Sequence, residues 1–267
     1  MLASTASDYF VHPDSIVRQL WGKADTVLFI FAGAAAEFAL NKAVDWLYFT
    51  GRLPADPLGR LFSTVEYARR IVFADRAGAE RAIDSMAAIH AAVEARRGQA
   101  IPDWAYRDVL YLLIAYSISS FEALERPLAP AEREEITDVF LRVGRRMGIA
   151  GLPTGYAAWL ADRAAHLARD LQPGPYTADL YRQYRRHLGG WRTWLLRQAQ
   201  WLVTPPLVRQ LLGLRRGLVL PVALAVYRRT RHLRPSQWLR SSLLPPAWRP
   251  QILALDVVPA MPAGPVA

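Results

Sequence analysis

Cysteine is absent from the 267 residues. That excludes disulfides, thiolate zinc sites, cysteinyl iron–sulfur clusters and a cysteine nucleophile, and it removes any clue to the redox compartment. Lysine is almost absent too: 31 of the 33 basic side chains are arginine, set against 23 acids for a formal charge of +10. Such a surface favours anionic partners. Acid is missing altogether from Tyr181 to Pro250, a stretch with fourteen arginines and the candidate for an anion-facing or membrane-facing side. Long apolar runs are lacking as well. The longest strongly apolar run without a charge, Val109 to Phe121, has 13 residues, whereas a spanning helix needs about 18 or more. No transmembrane span is expected. Met1 to Asp8 has neither the basic nor the apolar segment of a secretory signal, so the expected location is intracellular, with room for peripheral membrane contact.

Strict apolar–polar alternation is also nearly missing, while apolar positions three and four apart recur through many windows of helix length. An all-α fold follows. Asp56-Pro57 opens a helix to Phe73, with Arg60, Thr64, Tyr67 and Ile71 on one face; the acid caps and the proline suits the first turn. A second helix runs from Arg76 to Arg97 and stops at Gly98, with Ile83, Met86, His90 and Val93 in one inward stripe. Pro102-Asp103 starts a third, to Leu124, whose centre is apolar nearly all round and therefore central. Pro130 begins a fourth that ends at Gly148, with Glu132, Glu134 and Glu135 in its first turns and arginine in its last. Further helices are expected at Pro153–Leu171, Thr177–His187 and Trp191–Val203, and short amphipathic pieces at Leu207–Leu214 and Gly217–Tyr227. The expected divisions are an N-terminal segment with a first helix (1–33), the main helical domain (34–212), a basic amphipathic extension (213–260) and a disordered tail (261–267).

No Walker loop, Gly-x-Gly-x-x-Gly, Gly-x-Ser-x-Gly or His-Glu-x-x-His occurs, and no Glu-x-x-His. Nucleotide chemistry, classical hydrolysis and a carboxylate-bridged di-iron bundle all recede. Five histidines remain. His90, on an apolar helix face, has the placement of an axial haem ligand, although such a residue alone is more often a satisfied core histidine. His166 is a second candidate, but its neighbouring arginines point to a solvated helix face. His187 sits where a helix C-terminus favours partial positive charge.

Asp56-Pro57-Leu58-Gly59-Arg60-Leu61-Phe62-Ser63-Thr64, Ile71-Val72-Phe73-Ala74-Asp75 and Ile89-His90-Ala91-Ala92-Val93 resemble successive landmarks of the MpaB/rubber-oxygenase family. The likeness continues through Trp104 to Tyr111, Tyr116-Ser117-Ile118, Leu124 to Leu128, Val139 to Ile149 and Gln183 to Gly189, and this second set is closest to the MpaB-like branch. Coverage runs from about Ala34 to Leu212.

The resemblance implies a helical core enclosing haem b, globin-like in kind, and oxidative attack by O₂ on carbon–carbon double bonds of an apolar, isoprenoid-like chain. It makes 34–212 the catalytic domain. On this likeness His90 corresponds to the proximal iron ligand, and Arg60 and Thr64 to the Arg-x-x-x-Thr pair beside the haem. Ser63 stands where some latex-clearing proteins carry a lysine, so a distal amine is lacking. Phe62, Tyr67, Phe73, Met86, Tyr111, Leu112, Tyr116 and Phe121 are the expected lining, although the same residues would also fill an ordinary core. A competing assignment is a non-enzymatic basic helical protein that binds anionic lipid or an acidic partner through Trp201, Arg209, Arg215, Arg216, Arg228, Arg229, Arg231 and Trp238. Nucleic acid ranks last, because arginines interleaved with aromatics stand without any known binding motif.

Overall fold

A computed structural model describes residues 8–51, 55–230 and 245–255. Among these, thirteen α-helices and no strands are present: α1 Ile16–Trp21, α2 Ala24–Phe38, α3 Val44–Phe49, α4 Pro57–Phe73, α5 Arg76–Arg97, α6 Asp103–Leu124, α7 Pro130–Arg146, α8 Gly155–Asp170, α9 Pro175–Leu188, α10 Gly190–Val203, α11 Pro206–Leu211, α12 Val219–Thr230 and α13 Arg249–Leu255. The chain is all-α and forms a single globular domain. The expected α4, α5 and α6 match the sequence pattern because each carries its own punctuation. Asp56 accepts from the Gly59 amide at 2.8 Å, Asp75 accepts from the Gly78 amide at 2.6 Å, and Gly98 ends α5 at φ +70°. The expected tail 261–267, like Arg231 and Trp238, lies outside the described residues.

Helix α6 is the axle. It packs against α2, α7, α8 and α10, and its most extensive contact is with α2. Tyr111, Ile114, Tyr116 and Leu124 on α6 are wholly buried with Trp21, Ile30, Ile136 and Leu141. Burying each such side chain removes about 1.5 to 3 kcal/mol of apolar exposure. The α2–α6 contact depends on a missing side chain: a Cβ on Gly33 would lie 2.2 Å from the Tyr116 ring. Only glycine lets that ring rest on the α2 backbone.

Helices α4 and α5 form an antiparallel hairpin beside this core. Only Ala79 and Ile83 of α5 are buried, whereas Met86, His90 and Val93 are half-buried. The stripe faces inward as its spacing predicts. Its outer half is not sealed.

Candidate active site

The motif-bearing residues meet on the α4–α5 hairpin. Four residues apart, Arg60 and Thr64 share one face of α4, and Thr64 Oγ1 donates to the Arg60 carbonyl at 3.0 Å. Ser63 Oγ donates to the same carbonyl at 2.8 Å. Both hydroxyls are therefore turned back on their own helix. Across the hairpin, His90 sets its ring against the edge of Tyr106 at 5.3 Å, and its Nδ1 is buried without a hydrogen-bond partner. Glu94, one turn further along α5, fixes that arrangement by accepting from Tyr106 Oη at 3.1 Å and from the Ile101 amide at 2.8 Å.

Burial pushes the His90 pKa below its ordinary 6.5, and the positive charge of Arg60 pushes it further, with Glu94 opposing. The imidazole is consequently neutral near pH 7, the form that binds a metal. That Arg60 acts on His90 at all means that the hairpin brings the two expected residues into one electrostatic neighbourhood.

A second constellation lies deep between α2, α6 and α8. Arg163 Nη1 and Nη2 donate to the two carboxylate oxygens of Glu37 at 2.9 and 2.6 Å, and Tyr116 Oη donates to Glu37 at 2.7 Å. Glu37 and Arg163 are both buried. One turn away, Asn41 Nδ2 donates to Asp108 Oδ2 at 2.7 Å, and His166 Nδ1 bonds Asp108 Oδ1. Asp170 lies 3.5 Å from the same imidazole nitrogen and takes both Nε and Nη2 of Arg169. Asp162 accepts from Tyr111 Oη at 2.5 Å. Burial raises the Asp108 pKa, and its bonds to His166 and Asn41 hold it back.

Asp108, His166 and Asp170 place one ligand atom each within 4.8 Å of one another, a donor set able to hold a divalent ion. Each is also engaged within the protein, so the set equally completes a hydrogen-bonded network. The sequence reading puts His166 on a solvated helix face; the structure buries it instead. Its neighbouring arginines misled, because Arg163 turns inward onto Glu37 while Arg169 caps Asp170. One signal was legible: Asp162, His166 and Asp170 recur every four residues and so share a helix face. Asp108, on a different helix and with no acid or histidine three or four residues away, gives no comparable hint.

The expected aromatic lining divides. Phe62, Tyr67 and Met86 are half-buried along the hairpin, and Phe62 stacks on Trp248 at 5.1 Å. Tyr111 and Tyr116 instead serve the buried network, and Tyr116 lines a cleft with Arg163, Trp159 and Ser119 on the far stretch of α6. Neither this cleft nor the smaller space beside Asp108 and His166 includes His90, Arg60 or Thr64.

The family described as ER-bound oxygenase mpaB/B'/rubber oxygenase, catalytic domain, matches residues 19–246. The chain belongs to this oxygenase family. It therefore carries an oxygenase catalytic domain, an oxidoreductase that uses O₂ and a small-molecule substrate. The mpaB/rubber-oxygenase match extends on both sides of Ala34 to Leu212, the stretch over which the motifs are legible, and takes in both the hairpin and the buried network. No curated protein and no solved structure matches the chain.

Proposed function

We propose that this chain is a haem b oxygenase that oxidises an unsaturated, apolar, isoprenoid-like chain with O₂ at or near a membrane surface, and that His90 is the residue that would hold the iron. The observation that carries this reading is the buried, unpartnered Nδ1 of a neutral imidazole on the hairpin that also holds Arg60 and Thr64. A neutral imidazole binds a metal through one ring nitrogen, and the protein makes no hydrogen bond to the Nδ1 of His90. The residues present fit the group. His90 offers the donor, Arg60 offers a guanidinium suited to a propionate, and half-buried Met86, Val93 and Phe62 offer an apolar flank. When bound, haem would supply the iron at which O₂ is activated; the protein's own part is to hold the imidazole neutral, place the arginine and exclude water.

Contact with a membrane draws support from α12 and the segment before it. Leu218, Val219 and Val222 are 72%, 60% and 64% exposed, next to exposed Arg215 and Arg216. Apolar side chains flanked by arginine suit an interface with anionic headgroups. Among the described residues no helix is long and apolar enough to cross a membrane.

Absorption spectroscopy tests the proposal. Wild-type protein loaded with haemin should show a Soret band, and His90→Ala should abolish or strongly shift it while far-ultraviolet circular dichroism stays unchanged. A folded wild type that emerges colourless from gel filtration after incubation with excess haemin overturns the reading.

A further inference from the structure

Helix α10 hides one face and shows another. Ala199, Gln200 and Val203 are buried against the core, whereas Trp191 and Trp194 are 52% and 47% exposed. Trp191, Trp194, Gln198 and Trp201 follow one another at steps of three, four and three residues. At about 100° per residue they fall within about 80° of one another, on the side away from the buried face. Three indoles thus form a stripe about 15 Å long. Indole joins a large apolar body to a single polar N–H, and it collects where an apolar phase meets a wet one.

The chain returns alongside this stripe. Arg197 Nη2 donates to the carbonyls of Leu212 and Gly213 at 3.2 and 3.3 Å, which ties the end of α11 to α10. A Cβ on Gly217 would fall 1.6 Å from Gln198 Oε1, so the segment entering α12 passes beside the indoles. Exposed Leu218, Val219 and Val222 follow directly and extend the apolar surface. Cations border it. The Arg192 guanidinium lies 4.5 Å from the Trp191 ring centre, and those of Arg209 and Arg216 lie 4.7 and 5.6 Å from a ring centre of Trp201. Arg209, Arg215 and Arg216 have no ion-pair partner among the described residues. The local sequence offers none, because Tyr181 to Pro250 holds no acid. Apolar side chains, indoles and uncompensated guanidiniums on one surface match the layers of an anionic bilayer: acyl chains, the headgroup boundary and phosphate.

We propose that α10 lies along the surface of an anionic phospholipid bilayer, with Trp191, Trp194 and Trp201 at the headgroup boundary, Leu218, Val219 and Val222 inserted below it, and Arg209, Arg215 and Arg216 on lipid phosphates. This deepens the membrane contact proposed above and rests on that part of the reading, adding the docking face and the lipid class. It does not rest on haem.

Co-sedimentation of the full chain with phosphatidylcholine vesicles, with and without phosphatidylglycerol, tests it. The wild type should bind the anionic vesicles about tenfold more tightly than the neutral ones, and about 0.5 M salt should remove most of that preference. Trp191→Ser with Trp194→Ser should weaken binding to anionic vesicles about tenfold or more. Arg215→Gln with Arg216→Gln should weaken it about tenfold yet leave binding to neutral vesicles within about twofold. All four positions are exposed, and circular dichroism confirms that each variant is folded. A wild type that binds neither vesicle overturns this inference together with the membrane part of the proposed function. Vesicle binding that survives the folded tryptophan variant, or that ignores phosphatidylglycerol, overturns this inference alone. So does a tryptophan variant that loses binding to single-stranded RNA while keeping its vesicle binding, which would assign the stripe to nucleic acid. Vesicle binding that depends on these residues in a chain that takes up no haemin upholds the inference and removes the oxygenase reading.

Discussion

The hairpin and the buried network use charge in opposite ways. On α4 and α5, His90 keeps a nitrogen buried and unmatched while the surrounding stripe stays half-open. Between α2, α6 and α8, Glu37 and Arg163 sit as deep as the apolar core and answer one another through two bonds, with Tyr116 adding a third. Satisfied polar groups in a dry interior fix how helices sit, and unsatisfied ones at a half-open face await a partner. On the function proposed above, the network belongs to architecture and the hairpin to chemistry.

The largest effect should come from breaking the network. Arg163→Met leaves the Glu37 carboxylate buried without its partner, and that should cost about 3 to 5 kcal/mol. Chemical denaturation measures it directly. Adding Glu37→Met to Arg163→Met should recover much of the loss, because no uncompensated charge then remains inside. If Arg163→Met unfolds at the wild-type denaturant concentration, the network is not architectural and the comparison fails.

An exposed pair of the same geometry makes a smaller contrast. Arg126 grips Glu132 with two nitrogens, both at 2.7 Å, and Glu132 also accepts from the Ala129 amide at the start of α7. Chiefly through Arg126, its pKa is pulled down from 4.5 to about 2. A carboxyl with a depressed folded pKa stabilises above its unfolded value and loses that contribution as pH falls. Glu132→Gln should therefore lower stability near pH 7 by less than Arg163→Met does, and the gap to wild type should close between about pH 4.5 and pH 2. Thermal melts across that range supply the check, and a gap that stays constant with pH would place the effect in the cap alone.

How much of this was legible beforehand follows from the range of each interaction. Helices α4 and α5 could be read because Asp56, Pro57, Asp75 and Gly98 act within a few residues of themselves. Apolar composition showed α6 to be central for the same local reason. The pairing of His90 with Arg60 needs two helices, and motif likeness rather than spacing brought them together. Glu37 and Arg163 are 126 residues apart, and no local pattern announces that they will meet. Gly33 is similar: its need arises from the Tyr116 ring on another helix. Helix α2 was legible only as a first helix without bounds inside 1–33, since Lys23 at its start makes no side-chain cap and its apolar face is too broad to show a stripe.

The smallest effect should lie on the hairpin, and it sharpens the comparison most. Thr64 Oγ1 is spent on the Arg60 carbonyl of its own helix, a bond that backbone geometry does not need. His90 contributes an orphaned nitrogen on a half-buried face. Without any added ligand, Thr64→Val and His90→Leu should therefore each shift stability by no more than about 0.5 kcal/mol, the range of substitutions away from packed or paired features. Removing the orphan could even raise it slightly, since an unmatched buried donor or acceptor opposes folding. Denaturant titration of both variants against Arg163→Met makes the measurement. Residues kept for chemistry rather than for packing should be cheap to lose from the fold; a loss of several kcal/mol at either position would move the hairpin into the same class as the network.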